Sequence, residues 1–112
     1  MDFEGRGSTR VESDNLLAFR LFDQDNNVNQ EGMVKTLDIS KSGIAILSQK
    51  PLEVGHKLEL TIGLGDDVVK ATGIIKNQKQ IADNQYHIGI EFDFLTEEDL
   101  TKIAMQYPSI LK

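Results

Sequence analysis

The sequence contains no cysteine and no long apolar segment. Without cysteine, the chain has no disulfide framework, no thiolate metal ligand and no thiol nucleophile. No apolar run approaches the roughly 20 residues of a membrane span, and the N-terminus has no apolar signal-peptide core. The sequence therefore predicts a cytoplasmic protein without membrane insertion.

Positive charge and aromatic residues are also scarce. The formal net charge is −6, and the three arginines are Arg6, Arg10 and Arg20. General nucleic-acid binding depends on Lys and Arg neutralising phosphates, so this balance argues against a nucleic-acid partner. Aromatic residues make up 6% of the chain, which speaks against a single-strand nucleic-acid barrel with stacking platforms. A small dianion held by a few local cations remains compatible with the composition.

The sequence shows no pattern typical of catalysis or metal binding. His56 and His87 have no motif neighbours, and no Ser/His/Asp arrangement can be derived from spacing. The polar run over residues 23–32 has the alternating Asp and Asn of a calcium loop, but Val28 stands where that loop needs glycine and Val34 where it needs a bidentate glutamate. We therefore expect no enzyme activity, no metal site and no cofactor.

The length and the apolar pattern predict a single β-rich domain. A chain of 112 residues is large enough for one hydrophobic core. In one segment Leu58, Leu60 and Ile62 alternate with polar residues, as in a half-buried strand. Short strands separated by polar turns are typical of a closed antiparallel barrel. Six strands are predicted, over residues 16–22, 33–39, 43–47, 57–62, 68–77 and 85–92.

A helix is predicted after the last strand, and a flexible arm before the first. Thr96 is a good N-cap, and Pro108 ends the helix. An apolar stripe at helical spacing is expected to pack on the barrel; it consists of Leu100, Ile103, Ala104 and Tyr107. Residues 1–13 have few apolar side chains and no strand or helix period, which predicts a flexible arm. The predicted division is an arm over residues 1–13 and a barrel with its helix over residues 14–112.

Two short polar patterns stand out in this frame. Asp38, Ser40 and Gly43 form D-x-S-x-x-G at the end of a strand, and Arg6 and Arg10 form R-x-x-x-R upstream. Each has an ordinary explanation alone, because Asp, Ser and Gly are common turn residues and arginines on a tail are usually solvated. Their joint occurrence in this order, before an all-β pattern, is much more specific.

Together the two patterns resemble the signature motifs of PilZ domains, which are bacterial receptors for the second messenger cyclic di-GMP. The strand Ile88-Gly89-Ile90-Glu91-Phe92 and the C-terminal helix are also similar to that family, so the resemblance covers nearly the whole chain. It implies an all-β fold, a six-stranded antiparallel β-barrel of PilZ type with a C-terminal α-helix and a flexible N-terminal arm. It also implies cyclic di-GMP as the ligand. The implied binding residues are Arg6, Arg10, Asp38, Ser40 and Gly43.

The residue types suit that ligand. The planar fork of arginine can bond the O6 and N7 of guanine or clamp a phosphate. Asp38 offers an acceptor for the guanine N1–H and exocyclic amine, and Ser40 offers a hydroxyl. Two residues apart on a strand, these side chains are expected to share one face. Gly43 allows a sharp turn or a close backbone approach.

The resemblance leaves two interpretations of function open. In the first, the protein binds cyclic di-GMP, changes its arm and signals to a protein partner in motility, exopolysaccharide or biofilm control. In the second, it is a PilZ-fold adaptor that docks partners without binding the ligand. PilZ proteins often carry additional arginines around R-x-x-x-R. In that family the position before the first arginine helps decide between one ligand molecule and a stacked pair, and Gly5 at this position here favours one molecule.

Overall fold

The computed structural model describes residues 9–111. The strands are β1 (Val11–Glu12), β2 (Leu16–Phe22), β3 (Val28–Ile39), β4 (Gly43–Ser48), β5 (Lys57–Leu64), β6 (Asp67–Ala82) and β7 (Gln85–Phe94). Helix α1 covers Glu97–Gln106, and a 3₁₀ turn covers Pro108–Leu111. In this part of the chain no helix is both long and apolar enough to span a membrane.

Six of the strands close into an antiparallel barrel. They follow the order β3-β2-β5-β6-β7-β4, and β4 pairs again with β3 to close the circle. The short strand β1 pairs with the last residues of β3. It lies on the same edge of β3 whose earlier residues pair with β2. The prediction of a six-stranded antiparallel barrel with a C-terminal helix is confirmed.

The core lies inside the barrel and beneath the helix. Leu58, Leu60 and Ile62 of β5 are at most 1% exposed, whereas the intervening Glu59 is exposed, as the two-residue period of a strand requires. Helix α1 begins where Thr96 Oγ1 accepts the Asp99 N–H at 3.0 Å. The predicted apolar stripe is confirmed: Ile103 and Ala104 are buried, while Leu100 and Tyr107 pack against the core.

Strand β3 begins earlier than the sequence predicts. The expected loop over residues 23–32 is reduced to a tight turn, in which the Asp23 carboxylate accepts the N–H groups of Asp25 and Asn27, each at 2.9 Å. Asn26 takes the left-handed φ of 65° that such a turn needs. Because residues 28–32 form the outer end of a hairpin with β2, their polar side chains face solvent and resemble loop composition.

Residues 11–13 lie along β3. Val11 pairs with Ile39 and Glu12 with Asp38, and the Ser13 N–H donates to the Leu37 carbonyl at 3.0 Å. The flexible arm over residues 1–13 stays a prediction; for residues 11–13 the structure adds backbone partners along the edge of β3, which composition cannot reveal. Residues 1–8 of the predicted arm lie outside the described residues.

Candidate ligand-binding site

The two sequence motifs meet in a direct ion pair between Arg10 and Asp38. Arg10 Nε lies 2.9 Å and Nη2 2.8 Å from Oδ1 of Asp38. Arg10 stands immediately before β1, whose pairing with β3 brings it to Asp38 across 28 residues of sequence. The side chains are 45% and 26% exposed, so the pair lies at the surface.

A β-bulge explains why Asp38 faces outward. Thr36 and Ile39 are both buried, although residues three apart on a regular strand point to opposite faces. The register between β3 and β4 shifts between Thr36 and Asp38, which places Leu37 in a bulge. Bulges re-aim side chains next to functional sites. The bulge turns Asp38 toward solvent while its neighbours stay in the core.

Ser40 builds the turn between β3 and β4. The strand ends at Ile39, and Ser40 is fully buried in the turn, so it does not share an exposed strand face with Asp38 as the sequence predicted. Its Oγ accepts the N–H of Gly43 at 3.1 Å and of Ser42 at 3.2 Å. The Ser40 N–H also donates to the Gly43 carbonyl at 2.9 Å. The hydroxyl therefore shapes the backbone beside Asp38.

Gly43 stands where two strands come too close for a side chain. A Cβ at this position would be pressed against the Ile90 carbonyl oxygen and would lie 3.4 Å from the Glu91 Cα. The sequence suggested either a sharp turn or a close backbone approach. The structure shows the second, and the approaching backbone belongs to β7.

Arg6, the other arginine of the first motif, lies outside the described residues. Lys41 is exposed at the tip of the β3–β4 turn. Lys76 Nζ lies 3.5 Å from Glu91 Oε1, and both side chains are more than half exposed. Both lysines are surface groups.

The surface ion pair is well suited to exchange. Exposed pairs between arginine and a carboxylate contribute about 0–1 kcal/mol to stability, because both charges remain hydrated. Nε and Nη2 of Arg10 both contact Oδ1 of Asp38. The pair therefore lacks the bidentate geometry in which each nitrogen binds a different carboxylate oxygen. A ligand that offers a phosphate to the guanidinium and N–H donors to the carboxylate can replace it at little cost.

Sequence reasoning missed a hydrogen-bonded cluster behind this pair. Ser13 Oγ donates to Thr36 Oγ1 at 2.8 Å, and Tyr107 Oη donates to Asn15 Oδ1 at 2.7 Å across 92 residues. We call Ser13, Asn15, Thr36 and Tyr107 the anchor cluster. No local pattern signals such a contact, because it depends on how the chain ends meet.

A concave surface also lies elsewhere on the barrel. A groove of about 610 Å³ runs between the β2–β3 hairpin and the turn between β6 and β7, and the described site residues Arg10, Asp38, Ser40 and Gly43 do not line it. Its lining carries Lys35 and Lys50 but also Glu31 and Asp83. A dianion needs an excess of positive charge, so the groove is a poorer candidate than the Arg10–Asp38 surface.

Comparison with known families now identifies the fold. The family model described as PilZ domain matches residues 6–106 of the chain. The chain belongs to the PilZ domain family. The resemblance drawn from the two motifs is thereby confirmed, and both motifs fall within the matched residues. Comparison with curated proteins gives no match.

Solved structures share the PilZ fold at low sequence identity. MotI/DgrA, the inhibitor of motility of Bacillus subtilis, is 15% identical with a TM-score of 0.73, covering 97% of this chain and 51% of that one. MrkH of K. pneumonia in its c-di-GMP complex is 18% identical with a TM-score of 0.73, covering 97% and 53%. The PilZ domain of YcgR from Escherichia coli with c-di-GMP is 13% identical with a TM-score of 0.68, covering 95% and 92%. The chain thus spans about half the length of MotI and MrkH.

Proposed function

We propose that this PilZ domain is a receptor for cyclic di-GMP. The observation that carries the proposal is the ion pair between Arg10 and Asp38, which brings the two motifs together on one exposed surface. Family membership supports it, and so does the presence of c-di-GMP in the MrkH and YcgR structures that share the fold. Nothing in this role requires catalysis.

Each predicted site residue has a role in the proposal. Arg10 and Arg6 bind a phosphate or the O6 and N7 edge of a guanine, and Asp38 accepts from the guanine N1–H and exocyclic amine. Gly43 and Ser40 hold the turn that sets the Asp38 backbone. Because Ser40 is fully buried, a direct contact between its hydroxyl and the ligand would require the turn to open.

The proposal includes a change of the N-terminal arm. Arg10 exchanges its contact with Asp38 for contacts to the ligand, and Arg6 joins the same surface from the N-terminal side. The surface created by arm and ligand is then what a protein partner recognises. MotI, an inhibitor of motility with the same fold, illustrates one kind of output.

A second candidate function is an adaptor with the PilZ fold that binds partners without cyclic di-GMP. Two observations favour it: Asp38 already has a cationic partner, and the Ser40 hydroxyl is hydrogen-bonded within the turn. In that case the two motifs only stabilise the N-terminal segment on the barrel.

Calorimetric titration with cyclic di-GMP separates the two candidates. The receptor proposal predicts saturable heat for the parent protein and weaker binding for Asp38→Ala, with the fold intact because the side chain is at the surface. Asp14→Ala is the matched control, since it removes the same charge from a residue whose side chain is 80% exposed and pairs with Lys35 at 3.6 Å. A parent protein without binding heat refutes the receptor proposal and leaves the adaptor.

Backbone NMR order parameters test the arm. The receptor proposal predicts that residues 1–13 become more rigid when cyclic di-GMP is added, while the barrel strands keep their values. Identical order parameters for these residues with and without ligand, at saturation, would contradict signalling through the arm.

A further inference from the structure

Tyr107 links the end of the helix to the start of the barrel. Its hydroxyl donates to Asn15 Oδ1 at 2.7 Å, and the two residues are 92 positions apart in the sequence. Asn15 immediately precedes β2 and follows the segment that carries Arg10. The C-terminal end of the domain therefore contacts the N-terminal segment through one specific hydrogen bond.

The tyrosine side of this bond is fixed. The Tyr107 N–H donates to the Ile103 carbonyl at 2.8 Å, and the Tyr107 carbonyl accepts the Ile110 N–H at 3.1 Å. Ile103 and Ile110 are both fully buried, and the Tyr107 ring packs against the core. The hydroxyl is thus presented from a rigid base.

The asparagine side passes the restraint on to β3. The Asn15 N–H donates to Thr36 Oγ1 at 2.9 Å, and the Thr36 N–H returns to the Asn15 carbonyl at 2.9 Å. Ser13 Oγ donates to the same Thr36 oxygen at 2.8 Å, and Thr36 is 2% exposed. The anchor cluster consequently fixes two residues of the segment just after β1.

Strand β1 needs this support. It contains two residues only, and Glu12 lies directly opposite Asp38, where two like charges destabilise a cross-strand pair. Besides the packing of Val11 against the core, the Arg10–Asp38 pair before β1 and the anchor cluster after it help to hold the segment in register. Weakening the anchor cluster lowers the fraction of molecules in which Arg10 lies at the site.

We propose that Tyr107 is a positioning residue for the cyclic di-GMP site, acting through the anchor cluster on Arg10. The inference rests on the proposed function and deepens it, since it makes the C-terminal end of the domain a determinant of ligand affinity. When only part of the population is competent to bind, the apparent dissociation constant rises in inverse proportion to that fraction.

Removing one hydroxyl tests the proposal. Tyr107→Phe keeps the ring and loses the hydrogen bond; the expected result is weaker cyclic di-GMP binding, by up to about tenfold, the largest change that one ordinary hydrogen bond supports. Tyr86→Phe is the matched control, because Tyr86 is also a partly buried tyrosine packed on the core, and its affinity should equal that of the parent. Equal affinities for Tyr107→Phe and a binding-competent parent overturn the proposal.

A second variant separates positioning from general stability. In an Arg10→Ala background, Tyr107→Phe should cause no further loss of affinity, because the residue that it positions is gone. A loss as large as in the parent background would show that Tyr107 acts on the fold as a whole and would overturn the positioning role.

Amide hydrogen exchange tests the anchor cluster without ligand. Tyr107→Phe should speed exchange at the Ser13 and Asn15 amides, which donate to Leu37 and Thr36, and leave β5 unchanged. Unchanged protection at both amides overturns the inference. If Tyr107→Phe speeds exchange at these amides but the parent protein binds no cyclic di-GMP, the proposed function is refuted. The role of Tyr107 is then limited to ordering the N-terminal segment.

Discussion

Replacing Gly43 by alanine tests whether the glycine of the second motif is required by the barrel itself. The added Cβ would be pressed against the carbonyl oxygen of Ile90 in β7. Gly43 itself is paired with the next residue of β7, Glu91. The obstacle is backbone, and β7 is held on its other side by β6. Neither strand can yield by turning a side chain.

The expected cost of this substitution is large. Overpacking that forces a backbone shift costs about 1–3 kcal/mol, and the absence of a yielding side chain argues for the upper end, about 3 kcal/mol. For a domain of this size that corresponds to a fall in melting temperature of roughly 10–20 °C. Thermal unfolding followed by circular dichroism measures it without ligand.

Gly63→Ala is the matched control for Gly43→Ala. Gly63 is also a strand glycine, but the nearest atom to its added Cβ, the Leu16 carbonyl oxygen, is 3.6 Å away, which is ordinary contact. This variant should stay within about 1 kcal/mol of the parent. If the two variants have the same melting temperature, the close approach of β4 and β7 does not explain why residue 43 is glycine. The explanation would then have to come from ligand binding.

Two further substitutions probe the helix and the turn. Ile103→Ala should destabilise the protein by about 2–5 kcal/mol in denaturant unfolding, because this side chain of α1 is fully buried in the core. Met105→Ala is the control, since Met105 is an exposed residue of the same helix. Equal unfolding midpoints for the two variants would mean that the helix is peripheral. Ser40→Ala should cost about 1–3 kcal/mol, since the buried hydroxyl accepts two backbone N–H groups. Ser42→Ala should cost less, and the reverse order would contradict the role assigned to Ser40.

Alternation and capping account for the parts of the fold that the sequence predicted well. The first predicted strand has the same bounds as β2, Leu16–Phe22, and Thr96 is the N-cap of α1 as predicted. Both signals are local: an apolar run between polar segments, and a hydroxyl three residues before an acidic residue. The first residues of β3 and the last of β6 were missed because hairpin ends exposed on the outside carry loop-like polar composition.

For the predicted site residues, the sequence indicated which ones lie near each other but not how they are arranged. The two motifs indicated Arg10 and Asp38, which lie together, but the bulge at Leu37 and the burial of Ser40 could not be read from spacing. Strand periodicity placed Ser40 on the face of Asp38 because it assumed that β3 continues. The contact of Tyr107 with Asn15 joins opposite ends of the chain, so only the closed barrel reveals it.

The most direct test of the receptor proposal compares two arginines by calorimetry with cyclic di-GMP. Arg10→Ala should weaken binding by about 1–3 kcal/mol, the scale of a bidentate arginine contact. Arg20→Ala is the control: its side chain is 54% exposed, close to the 45% of Arg10, but it pairs with Glu31 and Glu59 on the outer face of the barrel. The account predicts parent-like affinity for Arg20→Ala and a clear loss for Arg10→Ala. Equal affinity in both variants, or no binding by the parent, would contradict it.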